Sequence, residues 1–204
     1  MKIAKEGFIF ISIFAILSVI LFGLKFTISG AISLIIALFM CCFFRDPKRI
    51  IPTDPKAVLS PADGTITDIK ETTFEGKPYH QIVIFLSVFN VHINRIPFKG
   101  TVRSKTYTRG KFHAAFIKDI DMKNERMETV LDTHEGPMKV VQIAGLLARR
   151  IVNYLNKNEP VSAGSKFGII KFSSRTDLYV PKNANILIQK GQSVKGGQTI
   201  LAQF

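Results

Sequence analysis

The sequence contains little cysteine, no tryptophan and few acidic residues. Its two cysteines, Cys41 and Cys42, are adjacent and lie inside an apolar run. Adjacent cysteines provide neither a disulfide framework nor the paired ligand spacing of a zinc site. A disulfide-rich secreted mini-protein and a zinc finger are therefore both excluded.

Basic residues greatly outnumber acidic ones. The 204 residues include 28 Lys and Arg but only 15 Asp and Glu, which gives a net charge of +13 at pH 7. An excess of this size indicates an anionic partner. Because 47% of the residues are hydrophobic and only 21% are charged, the chain is not a disordered basic tail, and we expect one folded soluble unit.

Two long uncharged runs occupy the N-terminus. They extend from Phe8 to Leu24 and from Phe26 to Phe44, and only Lys25 separates them. As helices they would be about 25 to 29 Å long, close to the roughly 30 Å thickness of the bilayer hydrocarbon core. We therefore predict that residues 1–44 form a helical membrane hairpin, which either spans the bilayer or is re-entrant.

Basic residues flank this predicted hairpin on both sides. Lys2 and Lys5 precede it, and Arg45, Lys48 and Arg49 follow it. The positive-inside rule then predicts that both ends face the cytoplasm, which places the protein at the cell membrane, on its cytoplasmic face. The second apolar run, directly after the first, argues against a cleaved signal peptide.

The basic excess belongs to the rest of the chain, residues 45–204, which we predict to be the soluble domain. Three of the basic residues and one of the acidic residues lie in 1–44, so the remainder keeps a net charge of +11. Near a membrane each Lys or Arg gains about 1 kcal/mol from anionic head groups. Because the sequence has no helix-turn-helix, zinc-finger or RNA-binding pattern, we predict anionic membrane lipid as the partner, and no nucleic acid.

The part of the chain after the linker 46–52 predicts strands. Short runs rich in β-branched and aromatic residues alternate with turn residues, which is typical of a barrel or sandwich. The clearest runs are 64–69, 80–86, 100–107, 168–172 and 185–189. The segment from Val140 to Leu155 also fits a helical face, but its β-branched content and Gly145 favour a strand. The predicted fold class is mainly β.

Two segments resemble parts of lipoyl- and biotinyl-carrier domains. Leu59–Ile66 is similar to their opening strand, and Lys190–Leu201 is similar to their late hairpin. This resemblance implies a barrel-sandwich-like soluble domain. The carrier lysine is missing from the hairpin, so the resemblance implies the fold and not carrier chemistry.

A Gly–Ser bond lies in the most informative stretch of the sequence. Alone, Gly164 and Ser165 form a common turn dipeptide. Their surroundings, Ala-Gly-Ser-Lys-Phe-Gly and then Ile-Lys-Phe-Ser-Ser-Arg-Thr-Asp, resemble the cleavage segment of the short, archaeal-like form of the phosphatidylserine decarboxylase family. Four further stretches match this family in the same order, namely 60–64, 85–97, 124–126 and 142–150. The resemblance extends over about residues 45–204 and implies that they form the catalytic domain.

The resemblance implies a proenzyme that cuts itself. The Ser165 hydroxyl would attack the Gly164 carbonyl and convert the amide to an ester, and β-elimination and hydrolysis would leave a pyruvoyl group on residue 165. The products would be a large chain, 1–164, and a small chain, 165–204, which form a heterodimer. Gly164 suits this step because it has no Cβ and tolerates a strained backbone.

The covalent pyruvoyl group derived from Ser165 would then be the cofactor. It would accept electrons during decarboxylation, the role that pyridoxal phosphate has in other enzymes. The resemblance therefore implies decarboxylation of phosphatidylserine to phosphatidylethanolamine in phospholipid biosynthesis. It implies no metal site.

Further residues are implied to act at the site. Because a serine needs a base to take its proton, His92 is the candidate base and Asp63 the carboxylate that orients it. Arg95 and Arg126 are candidates for binding the head-group phosphate and carboxylate in bidentate geometry. In longer bacterial members two histidines occupy the positions of His92 and Arg95, so the choice between cleavage and substrate protonation stays open for His92.

Two other functions stay open at this point. One is a non-enzymatic, membrane-tethered barrel-sandwich module that scaffolds partners. The other is a pyruvoyl decarboxylase for a soluble amino acid, against which the apolar runs argue. Charge alone would suit any anionic lipid, and the sequence leaves the subunit assembly, including a higher oligomer, open.

Overall fold

The structure is a computed structural model, and it describes residues 2–110, 124–145, 151–171 and 174–204. The chain divides into two compact units, Met1–Lys48 and Arg49–Phe204. The first unit is largely helical, and the second is built from strands.

The first unit is a helical hairpin. A 3-10 turn at Lys5–Gly7 leads into α1, Phe8–Gly23, and α2 follows at Thr27–Phe43. Two short strands, β1 (Lys2–Ile3) and β2 (Arg45–Asp46), pair in antiparallel orientation. This pairing holds the start of α1 and the end of α2 on the same side of the hairpin.

Serine hydroxyls join the two helices. The Ser18 hydroxyl donates a hydrogen bond to the Gly30 carbonyl at 2.9 Å. The Ser33 hydroxyl donates to the Phe14 carbonyl at 2.8 Å. Small residues at a helix interface let the two backbones approach closely, as is common between helices in membranes.

The outer surface of the hairpin is apolar. The helical segment Lys5–Gly23 is long and apolar enough to cross a membrane, whereas α2 is shorter. Val19 is 72% exposed and Ile28 is 77% exposed. Because an apolar surface of this kind is unfavourable in water, it supports association with a membrane.

The second unit consists of short strands joined by turns. Its strands are β3 (Ala57–Leu59), β4 (Gly64–Phe74), β5 (Lys77–Leu86), β6 (Ile93–Arg95), β7 (Gly100–Thr108), β8 (Arg126–Asp132), β9 (Met138–Ala144), β10 (Ile151–Asn153), β11 (Pro160–Val161), β12 (Lys166–Ile170), β13 (Ser174–Pro181), β14 (Asn185–Ile186), β15 (Ser193–Val194) and β16 (Ile200–Gln203). The mainly β fold predicted from the sequence is therefore confirmed.

The individual strand predictions agree with these bounds to different degrees. The predicted runs 64–69, 80–86 and 100–107 lie within β4, β5 and β7. β12 covers only the first part of 168–172, and β14 covers only the first two residues of 185–189. Between Val140 and Leu155 the chain forms β9 and β10, as strands rather than a helix. Residues 146–150, 172 and 173 lie outside the described residues.

Within the described ranges, eight strands form the largest sheet, which curls into half of a barrel. Their order is β11-β7-β8-β9-β13-β5-β4-β15, and neighbouring strands are antiparallel. A second sheet has the order β10-β12-β6, and a third has the order β14-β16-β3. The second sheet carries the predicted cleavage point, because β12 begins directly after Ser165.

The two segments that resemble carrier domains pair with each other. Gly64 and Thr65 of β4 lie opposite β15. Leu59 of β3 lies opposite Ile200 of β16. The Ser60 amide adds a hydrogen bond to the Thr199 carbonyl at 2.8 Å. The start and the end of the strand domain are therefore adjacent.

The core of the second unit forms on one face of the curled sheet. Ile82, Ile84 and Leu86 of β5 are fully buried at every second position, and side chains at this period point to the same face of a sheet. Leu178 of β13 is equally buried in the same apolar cluster. At the far end of β5, the Tyr79 hydroxyl donates to the Pro137 carbonyl at 2.8 Å, and burial raises the pKa of the Tyr79 phenol.

Candidate active site

The Gly164–Ser165 peptide bond lies in a tight turn between β11 and β12. The Gly164 amide donates to the Ile96 carbonyl at 2.8 Å, and the Ile96 amide donates to the Ser165 carbonyl at 2.8 Å. The Ser165 amide donates to the Ser162 carbonyl at 3.2 Å. Because the backbone groups on both sides are held by hydrogen bonds, the bond is fixed in one orientation.

Position 164 accepts only glycine without strain. Its φ is +77°, in the left-handed region that favours glycine. A Cβ at this position would lie 2.6 Å from Cγ2 of Ile51, far closer than the usual separation of about 3.5 to 4.0 Å between nonbonded carbons. Conformation and packing therefore both require glycine on the N-terminal side of the predicted cleavage point.

The Gly164 carbonyl accepts a hydrogen bond from a buried guanidinium group. Arg95 is only 7% exposed, and its Nη1 donates to the Gly164 oxygen at 2.9 Å. The pairing of β6 with β12 brings it there, because Arg95 lies opposite Lys166. Gly197 leaves room for the side chain, since a Cβ on Gly197 would be 2.7 Å from Cδ of Arg95. The arrangement directs the guanidinium at the carbonyl that the predicted cleavage attacks.

The Ser165 side chain is accessible. Its residue is exposed, and its hydroxyl donates to the Ser162 carbonyl at 2.6 Å. That same carbonyl also accepts the hydrogen bond of the Ser165 amide. The hydroxyl is therefore exposed on the residue that directly follows the hydrogen-bonded Gly164 carbonyl.

Asp63 is held by Arg49 and a backbone amide. One nitrogen of Arg49, Nη2, donates to both carboxylate oxygens at 2.8 and 3.0 Å. The Gly196 amide donates to Oδ1 at 2.8 Å. Within the part of the chain that the structure describes, these are the hydrogen bonds of Asp63, and His92 is not among its partners. The orienting role of Asp63 stays a prediction.

His92 is fully buried beside the same sheet. Its Nδ1 lies 3.0 Å from the Asn90 carbonyl, which can only accept, so Nδ1 carries the proton in this contact and Nε2 is the basic nitrogen. The His92 carbonyl accepts from the Ile170 amide, at the opposite end of the pairing from Arg95. Three extended residues span about 10 Å, so the strand separates His92 from the cleavage turn.

Arg126 begins β8, and its guanidinium pairs within that strand. Nε donates to Oε1 of Glu128 at 3.0 Å. Lys139 of the neighbouring strand also approaches Glu128, at 3.7 Å. The pairs that the structure gives for Arg126 therefore do not join it to the turn at Gly164. Its role in substrate binding stays a prediction.

A chain of buried amides supports β6, which the sequence reasoning missed. Gln142 Nε2 donates to Asn94 Oδ1 at 2.8 Å. Asn94 Nδ2 in turn donates to the Thr176 hydroxyl at 3.3 Å. Asn153 Nδ2 donates to Gln142 Oε1 at 3.1 Å. Because such buried networks fix their members in place, they position the strand that carries Arg95. Amide residues inside apolar strands were the available signal.

Three other residues at the site were also missed. Arg49 was assigned only to the basic flank of the hairpin, and nothing in the neighbouring sequence distinguishes Arg49 from Lys48. Ile51 covers Gly164, and Gly197 packs against Arg95. The signal for Gly197 was present, because consecutive glycines in a strand-rich segment often mark a close approach of backbone.

An open cleft of about 470 Å³ adjoins the turn. Ala163, which precedes the glycine of the turn, lines it together with Pro52, Lys99 and two ring side chains. Those rings, of Phe98 and His134, have centroids 5.2 Å apart. A cleft of this volume falls in the range of small-molecule sites.

The described residues offer no metal centre. In residues 2–110, 124–145, 151–171 and 174–204, no group of three or more His, Cys, Asp or Glu side chains is arranged to hold a metal ion. The titratable groups at the turn contact other protein groups instead, with Asp63 on Arg49 and Arg95 on Gly164.

Comparison with known proteins gives a match over most of the chain. A family model described as phosphatidylserine decarboxylase matches residues 36–202. This range includes the turn at Gly164, the strands β6 and β12, and Asp63. It also begins inside α2, so the match extends beyond the strand-rich unit.

Named relatives are similar over nearly the whole chain. The chain is 44% identical to the phosphatidylserine decarboxylase proenzyme of Wolbachia sp. subsp. Brugia malayi (strain TRS), an alignment that covers 100% of this chain and 91% of the relative. It is 43% identical to the proenzyme of Ehrlichia chaffeensis, with 98% and 91% covered. It is 40% identical to that of Rickettsia typhi, with 99% and 90% covered.

Proposed function

The chain belongs to the phosphatidylserine decarboxylase family, and we propose that it becomes active on phosphatidylserine after it has cut its own chain between Gly164 and Ser165. The reaction is the decarboxylation of phosphatidylserine to phosphatidylethanolamine, a step of phospholipid biosynthesis. The observation that carries this function is the 44% sequence identity, over the entire chain, to a relative named phosphatidylserine decarboxylase proenzyme. This similarity favours an enzyme over a scaffold module.

The geometry of the turn supports the cleavage point. Gly164 has a left-handed φ, its carbonyl is hydrogen-bonded to Arg95, and the Ser165 hydroxyl is exposed next to it. A bond held in this manner is suited to attack by the side chain of its own serine.

The residues around position 165 also fit a pyruvoyl group. The side chain of residue 165 is exposed at the start of β12, so a ketone there would be accessible to a substrate amine. The Ile96 amide, which donates to the Ser165 carbonyl at 2.8 Å, would hold the adjacent amide in place. Once formed, the group supplies a carbonyl that binds the amine of the substrate and accepts electrons as carbon dioxide departs.

Protein side chains have separate roles in this proposal. His92, with Nε2 as its basic nitrogen, moves a proton in the cleavage, in the substrate step or in both. Asp63 holds Arg49 and the Gly196 amide near the site. Arg126 binds the anionic head group, whereas Arg95 is already engaged with the Gly164 carbonyl.

The two chains would stay together as a heterodimer. The small chain, residues 165–204, contains β13, which pairs with β5 on one side and β9 on the other. It also contains β16, which pairs with β3. Cleavage at residue 164 would therefore leave strands of both chains interleaved in the same sheets.

The apolar hairpin places the enzyme at its substrate. The pairing of β1 with β2 brings both ends of the hairpin together, and basic residues lie at both ends. Because basic flanks favour the cytoplasmic side, we assign the strand domain to the cytoplasmic face of the cell membrane. There its positive charge attracts anionic lipid.

Intact-mass measurement of the full-length chain in detergent micelles tests this function. We expect a large fragment that ends at Gly164 and a small fragment, residues 165–204, whose blocked N-terminus reacts with a hydrazide. The cut protein should release labelled carbon dioxide from carboxyl-labelled phosphatidylserine in mixed micelles. The Ser165→Ala variant should do neither, because it lacks both the nucleophile and the precursor of the carbonyl.

The alternatives give different results in the same assay. A chain that remains at 22.8 kDa and releases no carbon dioxide would overturn the enzyme assignment in favour of a scaffold. Release of carbon dioxide by an uncut chain would refute the pyruvoyl group while leaving the activity. Turnover of free serine but not of the lipid would point to a decarboxylase for a soluble amino acid.

A further inference from the structure

We infer that Arg95 is a catalytic residue of the self-cleavage, where its guanidinium stabilises the negative charge that develops on the Gly164 carbonyl oxygen. This inference rests on the proposed function, since it concerns the same bond. It gives Arg95 a role before any substrate binds, which differs from the head-group contact expected from the sequence.

The position of the guanidinium carries the inference. Nη1 of Arg95 donates to the Gly164 oxygen at 2.9 Å, so a cationic donor already contacts the oxygen atom on which the negative charge develops. The contact does not depend on a loose surface side chain, because Arg95 is 7% exposed. Its stem lies against Gly197, where a Cβ would displace Cδ.

The carbonyl is held on the guanidinium by the surrounding backbone. Ile96, the residue after Arg95, accepts from the Gly164 amide and donates to the Ser165 carbonyl, both at 2.8 Å. Arg95 and the attacked carbonyl are therefore fixed to the same segment of chain. Such preorganisation means that little reorganisation is needed as charge develops.

The chemistry requires a positive group at this oxygen. When the Ser165 oxygen bonds to the Gly164 carbon, the electron pair of the carbonyl moves to its oxygen. Collapse of this intermediate breaks the carbon–nitrogen bond, and the hydroxyl proton is transferred to the nitrogen of residue 165, which leaves an ester and a free amine. No oxidant or reductant takes part, because the step only exchanges nitrogen for oxygen on the same carbon.

The later steps also balance. Loss of the α-proton of residue 165 breaks the bond between its Cβ and the ester oxygen and releases the Gly164 carboxylate. One water then replaces the nitrogen, which leaves as ammonia. The new carboxylate would remain beside Arg95, and a charge-assisted pair of this kind is stronger than a hydrogen bond between neutral groups. The same guanidinium would thus stabilise both the intermediate and the product.

An arginine is well suited to this position. Its guanidinium keeps its positive charge at every pH at which proteins are folded. In a buried site, where water does not screen it, such a charge acts more strongly than in solution. Removal of one oxyanion donor from an enzyme typically slows its reaction by about 10² to 10³ fold.

The test follows the rate of cleavage and not lipid turnover. Full-length wild-type, Arg95→Met and Arg95→Lys chains are synthesised in a cell-free system with detergent, and the appearance of the 165–204 fragment is timed on denaturing gels. We expect Arg95→Met to cleave about 10² to 10³ fold more slowly. Arg95→Lys should fall between the two, because it keeps the charge but not the planar fork. Arg103→Met, which removes a surface arginine, is the matched control and should cleave at the wild-type rate.

Chemical rescue separates catalysis from folding. Millimolar methylguanidinium is added to an Arg95→Ala chain, and an increase in the cleavage rate of tenfold or more is expected. The same addition should not accelerate Arg103→Ala. Thermal unfolding of both alanine variants in the Ser165→Ala background shows whether each is folded before the cleavage rates are compared.

Each outcome bears on one of the two claims. If wild type itself does not cut, the proposed function fails. If wild type cuts and Arg95→Met cuts at the same rate, the inference about Arg95 fails while the function stands. Slow cleavage by a folded Arg95→Ala chain that methylguanidinium does not accelerate would also overturn it, since Arg95 would then act only through structure.

Discussion

One nitrogen of the Arg49 guanidinium donates to both carboxylate oxygens of Asp63, at 2.8 and 3.0 Å. The other terminal nitrogen donates to the side chain of Gln198 at 3.1 Å. Both charged side chains are nearly buried, with 7% and 12% of their side-chain surfaces exposed. Arg49 therefore fixes the first residue of the strand-rich unit to the turn that contains Gly196 and to the predicted site.

Removing Arg49 alone should lower the unfolding free energy more than removing both charges of this ion pair. In the uncleaved Ser165→Ala background, Arg49→Met leaves a nearly buried carboxylate with only the Gly196 amide as partner, and we expect a loss of about 3–5 kcal/mol in unfolding free energy. The double variant with Asp63→Asn should lose less, because no lone charge remains. Denaturant unfolding in detergent measures the three variants.

A surface arginine supplies the control for the Arg49 cycle. Arg103 pairs with Glu75 and Asp132, and all three side chains are more than one-third exposed. Arg103→Met should therefore cost about 1 kcal/mol or less. Additive losses for Arg49→Met and Asp63→Asn would show that the pair contributes no coupling and would contradict the prediction.

Gly164→Ala should be more destabilising than another substitution at a left-handed glycine. Gly191 has a φ of +87°, and a Cβ there would meet nothing within 4 Å, so Gly191→Ala carries only the backbone strain of about 1–2 kcal/mol. Gly164→Ala adds a clash with Ile51, at a further cost of about 1–3 kcal/mol. Unfolding in the Ser165→Ala background compares the two.

Substitution of Ile51 separates the cost of the clash from the cost of the backbone strain. Adding Ile51→Ala to Gly164→Ala should remove the clash and leave the strain, so that the double variant resembles Gly191→Ala more closely. In the chain with Ser165 intact, Gly164→Ala should also cut more slowly on a timed gel. Equal stability of the Gly164 and Gly191 variants would argue against close packing at the cleavage turn.

The cut chains should remain associated without a covalent link. Because β13 lies between β5 and β9, its release would expose buried core residues such as Leu178 and Val180. An affinity tag at the C-terminus should therefore recover both fragments in detergent, and urea should separate them. Recovery of the small fragment alone from folded protein would refute the heterodimer.

The stability of the folded chain should decrease above pH 10 in part through Tyr79. Burial raises the pKa of this phenol above its ordinary value of about 10, so the folded state favours the neutral form. The resulting stability is present below pH 10 and is lost as the pH rises through the higher folded-state pKa. Tyr79→Phe should show a shallower decline from pH 9.5 to 11.5.

At neutral pH, Tyr79→Phe should instead lower the stability of the folded chain. Tyr79→Phe removes the hydrogen bond to the Pro137 carbonyl, at a cost of about 1 kcal/mol. The curves of the two proteins should therefore converge at high pH. Tyr107→Phe, at a tyrosine that is 53% exposed, is the control. Parallel curves for wild type and Tyr79→Phe would contradict the expected coupling.

Much of the fold was predictable because its signals are local. The uncharged runs predict the helices α1 and α2, whose apolar faces are exposed, and β-branched runs predict β4, β5 and β7. The short strand β14 was overestimated at 185–189. Its few pairs are formed with β16, and a local pattern does not show where such a partner ends.

The candidate site was predictable only as a set of residue types. The motif around Gly164 and Ser165 indicates where cleavage should occur, since glycine and serine have chemical requirements that a single sequence displays. It did not indicate that Asp63 contacts Arg49, or that Arg95 contacts the Gly164 carbonyl. These contacts depend on which strands pair and in which register, and a shift of one residue moves a side chain to the opposite face.

The sequence by itself therefore determined the apolar hairpin, the mainly β class, the basic charge and the Gly–Ser bond. The tertiary structure decided which basic side chain contacts that bond, because the pairing of β6 with β12 places Arg95 opposite Lys166. Hydrogen-bonded register brings together residues far apart in sequence, and residue order alone does not specify it. One of the many basic residues is thus a buried arginine whose guanidinium donates to a single carbonyl oxygen.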